Sequence, residues 1–269
     1  MRASILIIIF SFLPVFGECQ KVGNPKRFIN QTQYFQITLI EGGVWSWFSD
    51  PRAIYIPSTG EVVVGCLQRV TSTTGQRRLA SYKNGVVTLG PSGWNEGDDI
   101  DDHNLSVAIK MANDTFITAY SDHVSPTGAI YYRIGNGTTI ENFQSVQTVG
   151  PRASTYANLH EIGDTIIHIW RDANLAPGDS GVGYWIMRKS GDYGATWGNR
   201  IMFYWEPDEG SPSPPYLISR KTSQDRIDFL CTNAHPDPEF ADNSVYHFYM
   251  ERDSFFAVDG TFIVDPNDT

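Results

Sequence analysis

Two histidines, His103 and His123, stand twenty positions apart in the stretch DDIDDHNLSVAIKMANDTFITAYSDH. His103 precedes the apolar run of one β-strand and His123 follows the next strand, a pattern typical of a hairpin. In an antiparallel pair the start of one strand lies beside the end of its partner, so we expect both imidazoles at one edge of the sheet. Imidazole takes up or releases a proton near neutral pH, which suits this edge to acid–base chemistry.

The same edge recurs because the sequence repeats one plan. Four apolar runs are each followed by a strand rich in aromatic residues: EVVVGCL from Glu61, TFITAYS from Thr115, TIIHIWR from Thr165 and RIDFLCT from Arg226. Their starts are separated by 54, 50 and 61 residues. Repeats of this length, with about four strands each, are typical of β-propeller blades. The sequence therefore predicts an all-β protein, a β-propeller with four blade-like units.

The third unit contains SGDYGATW, from Ser190 to Trp197, which has the Ser-x-Asp-x-Gly-x-Thr-Trp form of an Asp box. We expect its Asp to cap a hairpin turn, its Gly to adopt a positive φ and its Trp to pack between strands, without a catalytic role. A propeller closes its ring to remove exposed strand edges, and four blades leave little room for a groove. We therefore expect part of a larger propeller, with an unpaired edge near Phe262.

Charge and the first residues limit the partners and the location. The formal net charge of -10 argues against nucleic acid and anionic membranes as partners, although an acidic polysaccharide needs only a local positive groove. The opening MRASILIIIFSFLPVFG has the pattern of a signal peptide, with a retained anchor as the alternative. The expected organisation is a signal peptide over residues 1–17 and a secreted propeller domain over residues 18–269, with no membrane association after cleavage.

Five Asn-x-Ser/Thr sites could carry glycans on a secreted protein: Asn30, Asn104, Asn113, Asn136 and Asn267. A glycan on Asn104, beside His103, would block a groove at this edge, so we expect that site to be unoccupied. We expect His168 to be a core or interface histidine with its hydrogen bonds satisfied, and His160 to lie at the surface.

Cysteines and acidic residues give little support for a metal. Cys19, Cys66 and Cys231 allow at most one intrachain disulfide, and the last two lie in apolar runs as expected of small buried residues. Cys231 and His235 are two candidate zinc ligands where a structural site needs four. Four acidic residues lack the spacing of a known calcium loop, and a solvated turn is the other interpretation: Asp98, Asp99, Asp101 and Asp102. No metal or other cofactor is therefore predicted.

Five segments, in order, resemble the BNR-repeat propellers that include ulvan lyases and rhamnose-glucuronate lyases. They are GVWSWFSDPRAIYI, DDHNLSVAI, TYANL, RIDFLCTNAHPD and NSVYHFYMERDSFFAVDGT, between residues 43 and 261. Members of this family are typically seven-bladed, so the resemblance implies that the chain carries about four of seven blades. The activity that it implies is β-elimination at a uronic acid of an acidic polysaccharide, without a redox cofactor.

Such a reaction needs a group that neutralises the uronate carboxylate, a base for the C5 proton and an acid for the departing oxygen. The resemblance implies that Tyr156 and His103 transfer the protons, in either order. It implies that His123 and Arg171 neutralise the carboxylate and that Tyr216 positions the sugar. Arg can hold a carboxylate with two hydrogen bonds, and a Tyr beside a cation loses its proton more easily.

Further interpretations stay open at this stage. His235 ends the second strand of the fourth unit and is a second candidate, beside Tyr216, for substrate binding in the same groove. The Asp box and Arg52 suggest a sialidase-like hydrolase, but the arginine cluster and Tyr-Glu pair that it requires cannot be assembled from the sequence. A propeller that binds sugars without catalysis would use exposed aromatic faces, for which the candidates are Trp45, Trp47 and Trp94.

Overall fold

The computed structural model describes residues 37–94, 100–101, 103–122, 129–150, 154–172, 184–204, 215–233 and 243–265. The chain divides into two units, residues 1–38 and 39–269, and the fold below is that of the second unit. Every regular element assigned within the described ranges is a β-strand, which confirms the all-β prediction. The described residues contain no helix long and apolar enough to cross a membrane. The predicted signal peptide, residues 1–17, lies outside them.

The first sheet has five strands: β1 (Gly43–Val44), β2 (Ala53–Ile56), β3 (Glu61–Arg69), β4 (Gly75–Lys83) and β5 (Val86–Leu89). Both β1 and β2 pair antiparallel with β3, one beside its end and the other beside its first half, and β4 and β5 follow in order. The two short strands thus share the innermost position of the sheet. The segment 45–52 between them leaves the sheet.

The other three sheets are meanders of consecutive antiparallel strands. The second contains β6 (Val107–Lys110), β7 (Phe116–Ser121), β8 (Ile130–Ile134) and β9 (Gln147–Gly150). The third contains β10 (Ser154–Ile162), β11 (Thr165–Asp172), β12 (Tyr184–Ser190) and β13 (Ile201–Tyr204). The fourth contains β14 (Leu217–Ser223), β15 (Arg226–Thr232), β16 (Val245–Glu251), β17 (Ser254–Ala257) and β18 (Phe262–Val264). Four blade-like units are therefore present, and the four apolar runs of the sequence form β3, β7, β11 and β15.

Consecutive sheets pack face to face, which explains why their central strands are apolar on both faces. All six residues of β7 and seven of the eight in β11 are buried. Three apolar clusters fill the spaces between the sheets, and they include Tyr120 between the first and second, Trp170 between the second and third, and Phe229 between the third and fourth. These contacts hold the inner strands β2, β6, β10 and β14 side by side.

Gly65 sets how closely the first and second sheets approach. A Cβ atom at this position would lie 1.9 Å from the carbonyl oxygen of Ser106, so any other residue would push β6 away. The hydroxyl of Ser106 donates to the carbonyl oxygens of Cys66 at 3.0 Å and Arg78 at 2.9 Å. The chain is thus fixed to the first sheet just before β6 and a few residues after His103.

The Asp box forms a capped turn after β12, as predicted. The Asp192 carboxylate accepts hydrogen bonds from the backbone N–H of Thr196 at 2.8 Å and from the Ser190 hydroxyl at 2.8 Å. The hydrogen bonds from Thr196 lower the pKa of Asp192 to about 2. Gly194 has a φ of +86°, and the Trp197 ring lies 5.6 Å from the ring of Tyr132 in the second sheet. The motif therefore stabilises the packing of the second and third sheets.

The outer strand of the fourth sheet is an edge. Within the described residues β18 pairs with β17 alone, as expected near Phe262, and the side chains of Phe262 and Ile263 are exposed. The described part of the chain does not show a closed ring of blades. Partial coverage of a larger propeller therefore remains a prediction.

Candidate functional site

Three predicted site residues meet where the inner strands of successive sheets begin. His103 precedes β6, Tyr156 is the third residue of β10, and Tyr216 directly precedes β14. The His103 and Tyr156 rings stack with centroids 4.7 Å apart, and the Tyr156 and Tyr216 rings lie 5.7 Å apart. The inner strands therefore bring together side chains that are far apart in the sequence. These three positions, together with Arg171, are called the edge site below.

Tyr156 is the centre of the edge site. Its ring stacks on Trp185 of β12 at 6.2 Å with an interplanar angle of 12°, and it meets the edge of Phe48 at 5.2 Å. Phe48 belongs to the segment 45–52 and also contacts the Tyr216 ring at 4.6 Å. The side chain of Tyr156 is only 2% exposed. Rings from the first, third and fourth sheets therefore enclose it.

Arg171, near the end of β11, holds its guanidinium over two tyrosine rings. Its Cζ lies 4.7 Å from the ring centroid of Tyr156 and 4.6 Å from that of Tyr216, which are cation–π distances. Its Nε donates to the hydroxyl of Thr155 at 3.2 Å. Its Nη1 is buried and has no hydrogen-bond partner among the described residues. The guanidinium therefore has donor capacity for a further acceptor such as a carboxylate.

His103 is oriented by an acidic neighbour that the sequence analysis assigned to a solvated turn or a calcium site. The imidazole Nδ1 pairs with the Oδ1 of Asp101, and the same oxygen accepts from the His103 backbone N–H at 2.9 Å. The His103 carbonyl oxygen accepts from the hydroxyl of Ser121 at 2.7 Å, at the end of β7. A carboxylate in this position fixes the orientation of the ring. The Asp-x-His spacing was the signal that could have indicated this role.

The backbone of β10 is distorted where it presents Tyr156. Its register with β11 shifts between Thr155 and Asn158, and Tyr156 has a φ of +60°. Bulges of this kind re-aim a side chain and are common beside functional sites. The distortion turns the Tyr156 ring away from the alternation of the strand. Nothing in the run TYANL signals this distortion.

Access to the edge site is limited by its own packing. Arg171 and Tyr216 are each 7% exposed, whereas the His103 side chain is 19% exposed. A cavity of about 670 Å³ lies among residues of the far ends of the same inner strands and includes Lys110, His160 and Arg220, but none of the edge-site residues. The cavity is lined by acidic and basic side chains, among them Asp50, whose pKa burial raises to about 6. The edge site differs in gathering stacked rings around the Arg171 guanidinium.

Two predicted site residues, His123 and His235, lie outside the described residues, as do Asp98, Asp99 and Asp102. Within the described ranges no group of three or more His, Cys, Asp and Glu side chains could hold a metal ion. Cys66 and Cys231 are buried, as predicted, and burial raises the pKa of the Cys66 thiol to about 12.

His168 and His160 were placed only partly correctly. His168 lies in the core, fully buried against the rings of Trp170 and Trp197, as predicted, but neither of its ring nitrogens has the expected hydrogen-bond partner among the described residues. His160 is also buried, not at the surface, because its Nε2 makes a 2.7 Å hydrogen bond with the hydroxyl of Ser219 in the fourth sheet. Burial lowers the pKa of each imidazole to about 3.

Other sequence candidates are placed as follows. Trp94 is buried in the core, while Trp47 is 49% exposed and its ring lies 4.9 Å from that of Trp45. Arg52 stacks over Trp45 and pairs with the Oδ1 of Asp50 at 3.4 Å, so it does not join Arg171 in an arginine cluster. The Asn104 side chain is fully buried, which agrees with the expectation of an unoccupied glycan site.

No family model matches the sequence, and no curated protein matches it. Among solved structures, the chain is similar to a PL25 ulvan lyase bound to -[GlcA(1-4)Rha3S]-, with a TM-score of 0.63 and 15% identity over 84% of this chain and 58% of that chain. It is also similar to an α-L-arabinofuranosidase from Fusarium graminearum bound to an iminosugar inhibitor, with a TM-score of 0.51 and 12% identity over 84% and 74% of the two chains.

The likeness is one of fold. The four sheets are arranged like blades of these propeller enzymes, and the chain spans about 58% of the length of the ulvan lyase. At 15% identity the match supports no residue role by itself. Membership of the BNR-repeat family remains a prediction.

Proposed function

We propose that the chain forms the catalytic part of a polysaccharide lyase that cleaves a uronate-containing glycan by β-elimination. The observation that carries this proposal is the position of Arg171, whose buried guanidinium spans Tyr156 and Tyr216 with Nη1 unpartnered among the described residues. His103 stacks on Tyr156, one of the two rings that this cation contacts. A carboxylate-binding cation beside two proton-transfer groups is the arrangement that β-elimination at a uronate requires.

In the proposed reaction the uronate carboxylate binds Arg171, which stabilises the charge that builds up when the C5–H bond breaks. The C5 proton passes to one member of the Tyr156–His103 pair, and its electron pair forms the C4–C5 double bond. The C4–O bond then breaks, and the departing glycosidic oxygen takes a proton from the other member of the pair. Tyr216 packs against the sugar, and His123 is proposed as a second group for the carboxylate.

The substrate class follows from the same site. The ulvan lyase of similar fold was solved with a glucuronate–rhamnose unit, which supports a glucuronate-containing polysaccharide as the first substrate to test. Because His103 is the most exposed of the four described edge-site residues, the glycan would approach from its side. Such a polymer is extracellular, and the signal-peptide pattern of residues 1–17 supports secretion as part of the proposal.

The test is the ultraviolet absorbance of the C4–C5 double bond during incubation with ulvan and other uronic-acid polysaccharides. Tyr156→Phe and His103→Ala should each lower kcat/KM by about 10²-fold or more, because each removes a proton-transfer group. Tyr132→Phe is the matched control, since Tyr132 is a buried tyrosine between the second and third sheets, away from the edge site. Full activity in a folded Tyr156→Phe variant would refute the assignment.

Sugar binding without catalysis is a second candidate, favoured by the exposure of Trp47 beside Trp45. Aromatic faces stack on sugar rings without the help of an acid or a base. Binding of a uronate polysaccharide that needs Trp47 but gives no unsaturated product would support this second function over the first.

A further inference from the structure

Tyr156 adopts a backbone conformation that a bulky residue rarely takes. Its φ of +60° lies in the left-handed region, and it stands in the register shift between Thr155 and Asn158. Such a conformation persists only where the surrounding structure fixes it. A neighbouring group must therefore fix the backbone of Tyr156.

The side-chain amide of Asn158 makes the hydrogen bonds that surround this backbone. Its Nδ2 donates to the carbonyl oxygen of Tyr156 at 2.6 Å and to that of Phe48 at 3.1 Å. Its Oδ1 accepts from the backbone N–H of Asp50 at 2.8 Å and from the hydroxyl of Ser219 at 3.1 Å. These bonds use both donors and both acceptor positions of the amide, which is fully buried.

The four bonds join three sheets around one tyrosine. Phe48 and Asp50 belong to the segment 45–52 of the first sheet, and Ser219 belongs to β14 of the fourth. The amide therefore binds the carbonyl oxygen of Tyr156 directly. It also binds the carbonyl oxygen of Phe48, whose ring packs against Tyr156. The backbone N–H of Leu159 also donates to the Asp50 carbonyl oxygen at 2.8 Å, which keeps the segment against β10.

We propose that Asn158 is a positioning residue for the reaction: by donating to the Tyr156 and Phe48 carbonyl oxygens, it sets the Tyr156 phenol between the Arg171 guanidinium and the His103 ring. This inference rests on the proposed lyase function. Asn158 lies within β10 and takes part in no proton transfer. Its effect is exerted through the placement of Tyr156.

A purely structural role, in which Asn158 only ties the sheets together, makes a different prediction. Ser219→Ala removes the bond from Asn158 to the fourth sheet but leaves both donor bonds to the Tyr156 and Phe48 carbonyl oxygens. If the tie to the fourth sheet alone mattered, Ser219→Ala would reproduce the effects of Asn158→Ala. Under the positioning role it leaves Tyr156 in place.

The experiment compares Asn158→Ala, Asn158→Asp and Ser219→Ala with wild type, in protein labelled with ¹³C on the tyrosine rings. Asn158→Asp keeps the acceptor side of the residue and loses both donors when ionised, so it serves if the alanine variant does not fold. Thr118→Val is the matched control, because Thr118 is a fully buried residue whose hydroxyl donates to the Val107 carbonyl oxygen at 2.8 Å in the second sheet. Tyr156→Phe assigns the ring resonance.

Positioning predicts that both Asn158 variants move or broaden the Tyr156 resonance and lower kcat by about 10²-fold, with KM within about threefold of wild type. KM is retained because Arg171 and Tyr216 are placed by β11 and β14. Ser219→Ala and Thr118→Val should leave both readouts near wild type.

An unmoved Tyr156 resonance in either folded Asn158 variant overturns the inference, and so does a Ser219→Ala variant that matches Asn158→Ala in both readouts. If wild type turns over no substrate, the lyase proposal fails by itself. The resonance then still decides whether Asn158 fixes Tyr156, because that readout needs no substrate.

Discussion

The guanidinium of Arg171 packs against two aromatic rings. It forms no ion pair with a carboxylate among the described residues. The adjacent acid, Asp172, is fully buried and is already paired with Arg200. Aromatic rings do not neutralise a cation, so the guanidinium can still attract an incoming anion. A carboxylate partner in an ion pair would neutralise most of that charge. The choice of partners around Arg171 therefore favours binding of an external carboxylate.

Arg171→Lys should raise KM for a uronate polysaccharide by about tenfold or more, because an ammonium cannot form the paired hydrogen bonds of a guanidinium. The positive charge is kept, so the fold should survive. Steady-state kinetics checks the effect, with thermal unfolding as the control for the fold. A KM unchanged from wild type would show that Arg171 does not bind the carboxylate.

Residue-scale roles were only partly predictable from the sequence. The resemblance to propeller lyases, supported by the repeat of the same strand edge, selected His103, Tyr156, Arg171 and Tyr216, which the structure brings together. Asn158 was missed because its partners Phe48 and Ser219 are 110 and 61 positions away. His160 was placed at the surface for the same reason, since its partner lies 59 positions away.

At the scale of elements, β11 carries a polar group that its environment does not satisfy. His168 faces the Trp170 and Trp197 rings, and neither of its ring nitrogens has a hydrogen-bond partner among the described residues. The apolar run TIIHIW predicts this strand and its burial correctly. The cost of the imidazole depends on pH, because only the neutral ring tolerates this site.

Acid should therefore destabilise the fold through His168. Its pKa is about 3 in the folded protein against 6.5 ordinarily, so between these values the unfolded chain binds a proton that the folded chain does not. Stability then falls as pH drops below 6.5, by about 2 kcal/mol at pH 5.

His168→Phe should reduce the acid dependence by the contribution of one histidine, because His160 keeps its own lowered pKa. The midpoint at pH 7.5 should be equal or higher, since the variant removes two unsatisfied nitrogens. Thermal unfolding from pH 7.5 to pH 5 is the measurement. His247→Gln is the control, because His247 is partly exposed and hydrogen-bonded to Asp228. Equal acid dependence in His168→Phe and wild type would contradict the assignment.

At the scale of the whole molecule, the net charge of the chain is negative, whereas the charge at the edge site is positive. The chain carries 30 acidic against 20 basic residues, yet the proposed substrate is a polyanion that must reach Arg171. Long-range repulsion therefore opposes a short-range attraction. Salt screens the first more than the second, because the site cation is buried.

KM for an anionic polysaccharide should consequently fall as ionic strength rises from about 0.01 M to about 0.1 M, as the screening length shortens from about 30 Å to about 10 Å. An oligosaccharide from the same polymer that is made neutral, with its carboxylates esterified and its sulfate groups removed, should show no such trend in a binding assay. A KM that rises steadily over the same range would mean that attraction dominates at every distance.

The fold itself was easier to predict than the site. Apolar runs at regular spacing and the Asp box identified four sheets, because their strands bury both faces against neighbouring sheets. The excursion of segment 45–52 was invisible, since WSWFSDPR has no pattern that names a partner in the third or fourth sheet. Ring closure likewise depends on contacts beyond the described residues.

The excursion also affects the order of events during synthesis. Asp50 and Phe48 leave the ribosome early, but their partner Asn158 follows 108 and 110 residues later, a delay of roughly five to twenty seconds at about 5–20 residues per second. Until then Tyr156 lacks the bonds that set its backbone. A nascent chain that stops between Tyr156 and Asn158 would thus contain both residues of the Tyr156–His103 pair and still lack the amide that positions Tyr156.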